Sequence, residues 1–183
     1  MNKTSIAVIS LFLAGAISNA NAGNFYGLAD FGSSSFKFAT QDFQDSKQTA
    51  FDLGAGYAVN DNFAAELAYR DLGDTFEAYN IDAGGERLDV TVLQLSAVGK
   101  TRIGENLDLY GRLGYARFDL KVTTKSYNST RSYNVTGNRL VGGLGINYEM
   151  SENIDMRVEY TSYAKLAETT FSTLTLGLNY HFK

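Results

Sequence analysis

The feature that most constrains this chain is the spacing of its apolar residues. Leu174, Leu176, Leu178, Tyr180 and Phe182 alternate with Thr173, Thr175, Gly177, Asn179 and His181. Successive side chains of a strand point to opposite faces, so this segment reads as a strand with one apolar and one polar face. The same period runs through Phe51–Val59, Phe63–Arg70, Leu107–Tyr115, Arg139–Glu149 and Ile154–Thr161. A first strand near Phe25–Phe31 alternates less clearly. A fourth, near Leu88–Thr101, breaks phase at the adjacent Val92 and Leu93, which a bulge would accommodate. No segment after residue 22 carries the period of an amphipathic helix.

Between the strands, short turns alternate with long polar stretches. Asn60-Asp61-Asn62, Gly104-Glu105-Asn106 and Ser151-Glu152-Asn153 share turn chemistry, and each leads into an apolar residue: Phe63, Leu107 or Ile154. The polar stretches Ser33–Gln48, Asp71–Arg87, Lys121–Gly137 and Ser162–Thr170 read as loops. Eight strands therefore have three short turns at one end and four long loops at the other.

The two faces decide the solvent. A soluble barrel would carry a charged outer face. Here the polar face is rich in Gly, Ala, Ser and Thr with single charges of both signs, which suits a narrow interior. The apolar face often ends in aromatics: Tyr57, Phe63, Tyr69, Tyr115, Tyr148, Tyr160, Tyr180 and Phe182. Aromatics at strand ends match the girdles of an outer-membrane barrel, and lipid demands a closed sheet. The expected fold is all-β, an eight-stranded antiparallel up-and-down transmembrane β-barrel, with short turns in the periplasm and long loops outside.

Residues 1–22 read as a cleaved signal peptide, with Lys3, the apolar run Ile6–Ile17 and the small-x-small site Ala20-Asn21-Ala22. Residues 23–183 then form the barrel domain, bound for the bacterial outer membrane. Composition removes other classes. The chain has no Cys, no Pro, one His and a formal charge of −4. A disulfide framework, a thiol nucleophile and a multi-His metal site are excluded. The acidic balance opposes nucleic-acid binding. A mean hydropathy of −0.18 excludes a bundle of membrane helices.

The whole mature chain resembles the small eight-stranded outer-membrane barrels, the family of the OmpA transmembrane domain and OmpX. The resemblance rests on Ala20-Asn21-Ala22, on hairpins such as Gly56-Tyr57-Ala58-Val59-Asn60-Asp61-Asn62-Phe63, and on the last strand, Leu174 to Phe182. It implies contact with outer-membrane lipid, lipopolysaccharide and the barrel-assembly machinery, and a monomer. Members usually end in an aromatic residue; here Lys183 follows Phe182.

Strand parity places Glu66, Arg70, Arg112, Arg139, Glu149, Asp155, Arg157 and Glu159 inside, joined by Asp30 and Asp52. Buried charges must pair, so these are expected to form a salt-bridge network that fills the lumen. An eight-stranded barrel has just enough interior for its own side chains. The leading expectation is a structural or ligand-binding, adhesion-type surface protein acting through its loops. The alternative is a narrow ion channel gated by the interior pairs. The basic, aromatic loop with Lys121, Lys125, Tyr127, Arg131 and Tyr133 would take an anionic or host ligand. No catalytic, cofactor or metal site is expected. The lone His181 lacks the hydroxyl partner that lipid-modifying barrels need. Gly142-Gly143-Leu144-Gly145 lies inside a strand and serves packing rather than phosphate binding.

Overall fold

The structure, a computed structural model, describes residues 24–37, 46–78, 85–126, 129–166 and 169–182. Residues 1–22, expected as a signal peptide, and Tyr127 lie outside the described residues. The strands are β1 (Phe25–Lys37), β2 (Ser46–Ala58), β3 (Phe63–Ala78), β4 (Gly85–Arg102), β5 (Leu107–Ser126), β6 (Ser129–Ser151), β7 (Ile154–Leu166) and β8 (Thr169–His181). Each pairs antiparallel with its sequence neighbour, and β1 pairs with β8 to close the barrel. The short turns follow from their residues. Asn60 Oδ1 accepts from the backbone N–H groups of Asn62 and Phe63, both at 2.9 Å, holding the β2–β3 turn.

Closure fixes which face is inside. Asp52, Glu66, Arg70, Arg112, Arg157 and Glu159 point inward and are buried. Leu113, Leu144, Leu140 and Leu95 point outward, 68, 67, 61 and 60% exposed. A continuous apolar belt of this kind is stable where the solvent is hydrocarbon. On β5 it runs from Leu107 to Tyr115, close to the ~9–11 residues a tilted strand needs to cross a bilayer. At the turn end, Phe25 packs on Tyr57 at 4.9 Å and Tyr180 on Phe182 at 5.3 Å, an aromatic rim.

Toward the loop end the polarity inverts. Outward positions of β5 change from Leu113 and Tyr115 to Arg117, Asp119 and Lys121, and those of β6 from Leu140 to Asn138, Thr136 and Asn134. Inward positions become apolar. Leu72, Val90, Val92, Ala116, Phe118, Val141, Tyr163 and Phe171 form one buried cluster, with Leu88 and Leu120 packed against it. The Phe118 ring meets Tyr163 edge-on at 5.2 Å and Phe171 at 5.5 Å. Above the belt the barrel is therefore built like a soluble one, dry inside and polar outside.

This inversion corrects two sequence expectations. β4 has no bulge: its register with β5 is unbroken from Gly85↔Lys125 to Arg102↔Asp108. Val92 and Leu93 are adjacent because Val92 faces the apolar cluster and Leu93 faces outward. The irregularity is on β3, between Asp71 and Asp74, where Leu72 and Gly73 stand against Val90. Gly73 has φ of 86°, a conformation that favours glycine. The long stretches are also shorter as loops than their sequence suggests. β3 continues to Ala78, β5 to Ser126, and β6 begins at Ser129. Polar outward residues above the belt look like loop in a sequence but are strand.

Candidate functional site

The barrel interior is one connected network, assembled by strand parity from β1, β2, β3, β4, β5 and β7. Arg157 Nε donates to Asp30 Oδ1 at 2.8 Å, and its Nη1 donates to Glu66 Oε1 at 3.3 Å. Arg112 Nε donates to Glu159 Oε2 at 3.0 Å, while its Nη2 bridges Glu66 and Glu159. Arg70 Nη2 donates to Glu159 Oε1 at 2.9 Å, and its Nε lies 3.5 Å from Asp52 Oδ2. Hydroxyls complete the set. Tyr26 donates to Glu66 and Tyr110 to Glu159, each at 2.8 Å, and Thr161 also donates to Glu159. Tyr163 accepts from Arg70 and donates to Gln94, each at 3.3 Å. Glycine makes the room: a Cβ on Gly56 would strike the Tyr26 ring, and one on Gly145 the Tyr110 ring.

The ten interior residues expected from sequence do not all meet. Asp30, Asp52, Glu66, Arg70, Arg112, Arg157 and Glu159 form the network. Asp155 sits nearer the turns, its Oδ2 2.7 Å from His181 Nε2. Glu149 joins Arg102 at the rim, where Arg102 Nε is 2.7 Å from Asp108. Arg139 stands toward the loop end, opposite Ala116, and donates to Asn138 O at 2.6 Å. Parity gives the face of a residue but not its height along the barrel. Tyr26, Tyr110, Gln94, Thr161 and Tyr163 were missed as network members, although each shares the inward parity of a named charge. Arg102, Lys100 and Asp108 were missed likewise; Lys100 Nζ lies 3.3 Å from Asp108 Oδ2.

The network and the apolar cluster above it occupy the middle and the loop end of the lumen. His181 is committed to Asp155 and lies beside the Tyr26 ring at 5.2 Å. Among the described residues no serine or threonine hydroxyl bonds to its ring.

The second candidate is the β5–β6 hairpin. Residues 129–140 of β6 pair with β5 but not with β7, whose pairing begins at Val141↔Tyr163. The hairpin thus stands above its β7 side. Its residues divide between two faces. Lys121, opposite Asn134, holds the outward register, and Lys125 pairs with Thr130. Arg131, opposite Thr124, and Tyr133, opposite Val122, share the inward register with Val135. Lys121 and Arg131 are exposed, as is Tyr133, at 54%. Lys121 also stands opposite Asp89 of β4, so the outer face mixes charge, whereas Arg131 and Tyr133 share the inner face with Val122, Thr124 and Val135.

The sequence matches the model of the outer membrane protein beta-barrel domain over residues 4–182. The chain belongs to this family. A search among curated proteins found no match. Solved structures of the same shape include Ail, the attachment invasion locus protein of Yersinia pestis, in complex with the heparin analogue sucrose octasulfate. It is 19% identical with a TM-score of 0.63, and the match covers 86% of this chain and 97% of that one. Neisserial surface protein A is 17% identical with a TM-score of 0.64 over the same shares. The N-terminal barrel of Pseudomonas aeruginosa OprF is 17% identical with a TM-score of 0.56, covering 86% of this chain and 96% of that one. Family membership puts this protein in the bacterial outer membrane and makes the apolar belt its lipid face.

Proposed function

We propose that this outer-membrane barrel is a surface protein that binds an anionic ligand, of the sulfated-glycan or lipopolysaccharide-phosphate class, through the β5–β6 hairpin. The observation that carries the reading is the hairpin's reach beyond β7, which leaves Arg131 and Tyr133 exposed on its inner face and Lys121 on its outer face. A guanidinium gives planar, charge-assisted hydrogen bonds to sulfate or phosphate, and an aromatic ring beside it stacks on a sugar face. The solved complex of the similarly shaped Ail with a heparin analogue supports this ligand class. The lumen serves stability: buried pairs of this kind hold the strands in one register.

The test is binding of fluorescent sucrose octasulfate to the barrel refolded in detergent. Arg131→Glu is expected to weaken binding about tenfold, the ~1.4 kcal/mol of one charge-assisted contact. Lys121→Glu should weaken it less, because Asp89 already faces that lysine. Equal binding by wild type and an Arg131→Glu, Lys121→Glu double variant overturns the proposal.

A further inference from the structure

We propose that the periplasmic end of the lumen is a divalent-cation site of the calcium type. Below the network, a cavity of 240 Å³ opens among the short turns. Asp155, Asn147 and Asn179 line it. Asp155 and Asn179 are direct cross-strand partners on β7 and β8, and Asn147 on β6 lies on the adjoining row, opposite Arg157. Asn179 is 3% exposed, yet its amide oxygen has no hydrogen-bond partner among the described residues, and the same holds for Asn147 Oδ1. Asp155 gives Oδ2 to His181 and keeps Oδ1 outside that pair. A buried acceptor without a donor is costly, and two beside one carboxylate point to a missing electropositive group.

The hydroxyl and cationic donors of the cavity wall are engaged elsewhere. The Tyr26 and Tyr110 hydroxyls in its wall donate to Glu66 and Glu159. Lys100 is paired with Asp108, and Arg157 with Asp30 and Glu66. Asp155 has no arginine or lysine within ion-pair distance among the described residues. Carboxylate and amide oxygens are hard ligands, and the cavity has room for waters to complete a shell. A partial, mixed oxygen set of this kind suits calcium better than magnesium, which demands a near-ideal octahedron. Sequence reasoning missed the site because two of the three donors are amides spread over separate strands.

Terbium luminescence tests this directly. The ion takes calcium's oxygen ligands and emits when a nearby aromatic ring is excited; the chain has no Trp, so sensitisation reports Tyr, and Tyr26 and Tyr110 line the cavity. The full barrel, refolded in a zwitterionic detergent free of lipopolysaccharide, should show saturable emission that calcium displaces. Asp155→Asn and Asn179→Leu should each weaken terbium at least tenfold, whereas Asp89→Asn, at the opposite end, should leave the titration unchanged. Heat-modifiable gel mobility verifies that each variant folds. If Asp155→Asn does not fold, Asn179→Leu and Asn147→Leu decide the matter. Absent saturable emission, emission unaltered in the folded variants, or displacement by spermine but not by calcium overturns the proposal.

Discussion

Replacing Arg157 by Met removes the hinge of the interior network. Arg157 is 1% exposed and supplies the ion pair of Asp30, itself 1% exposed, while also reaching Glu66. Glu66 keeps Arg112, but Asp30 is left without a cation within ion-pair distance among the described residues. Stranding one partner of a buried pair costs about 3–5 kcal/mol, or roughly two to four orders of magnitude in the folding constant. Glu159→Gln should cost less, because each arginine keeps another carboxylate: Asp52 for Arg70, Glu66 for Arg112 and Asp30 for Arg157. Adding Asp30→Asn to Arg157→Met removes the stranded charge and should return part of the loss, a coupling of about 0.5–3 kcal/mol. The assay is reversible urea unfolding in detergent, followed by circular dichroism and gel mobility. An Arg157→Met barrel within about 0.5 kcal/mol of wild type would refute the reasoning.

The polarity inversion makes further predictions. Leu144→Arg, on the lipid face, should destabilise the barrel by about 2–4 kcal/mol, whereas Asn134→Arg, on the outward face above the belt, should stay within about 0.5 kcal/mol; equal effects in bilayer refolding would contradict the boundary. Phe118→Ala empties the centre of the upper cluster and should cost about 3–5 kcal/mol by urea unfolding, although its sequence neighbours are polar. In planar bilayers the refolded barrel should give no unitary current steps, since ions would have to pass both the paired charges and the dry cluster; steps altered by Arg112→Ala would restore the channel reading.

The strand count, the pairing order and the inward face were legible because a period of two survives wherever lipid and a polar interior face each other, as along Leu174 to Phe182. The pattern failed where that contrast failed. Tyr26 and Leu28 point inward, which blurs β1, and Val90 and Val92 point inward, which mimics a bulge in β4. Above the belt the outer surface meets water, so Lys121, Thr123 and Asn134 read as loop although they are strand. Heights along the barrel depend on stagger between strands, which no single strand encodes. Arg139, Asp155 and Glu149 therefore shared a face with the network without joining it. The sequence reads Lys121, Lys125, Tyr127, Arg131 and Tyr133 as one basic, aromatic loop, but cross-strand register sets Lys121 and Arg131 on opposite faces of a hairpin.

We propose that the β5–β6 hairpin stands outside the cell while the short turns face the periplasm. Because the chain has no Cys, single cysteines report position without background. Lys121→Cys and Tyr133→Cys should react with a membrane-impermeant maleimide on intact cells. Asp61→Cys, in the β2–β3 turn, should react only after the envelope is permeabilised, and Leu144→Cys should stay protected by lipid. Labelling of Asp61→Cys on intact cells with protection of Lys121→Cys would contradict the account.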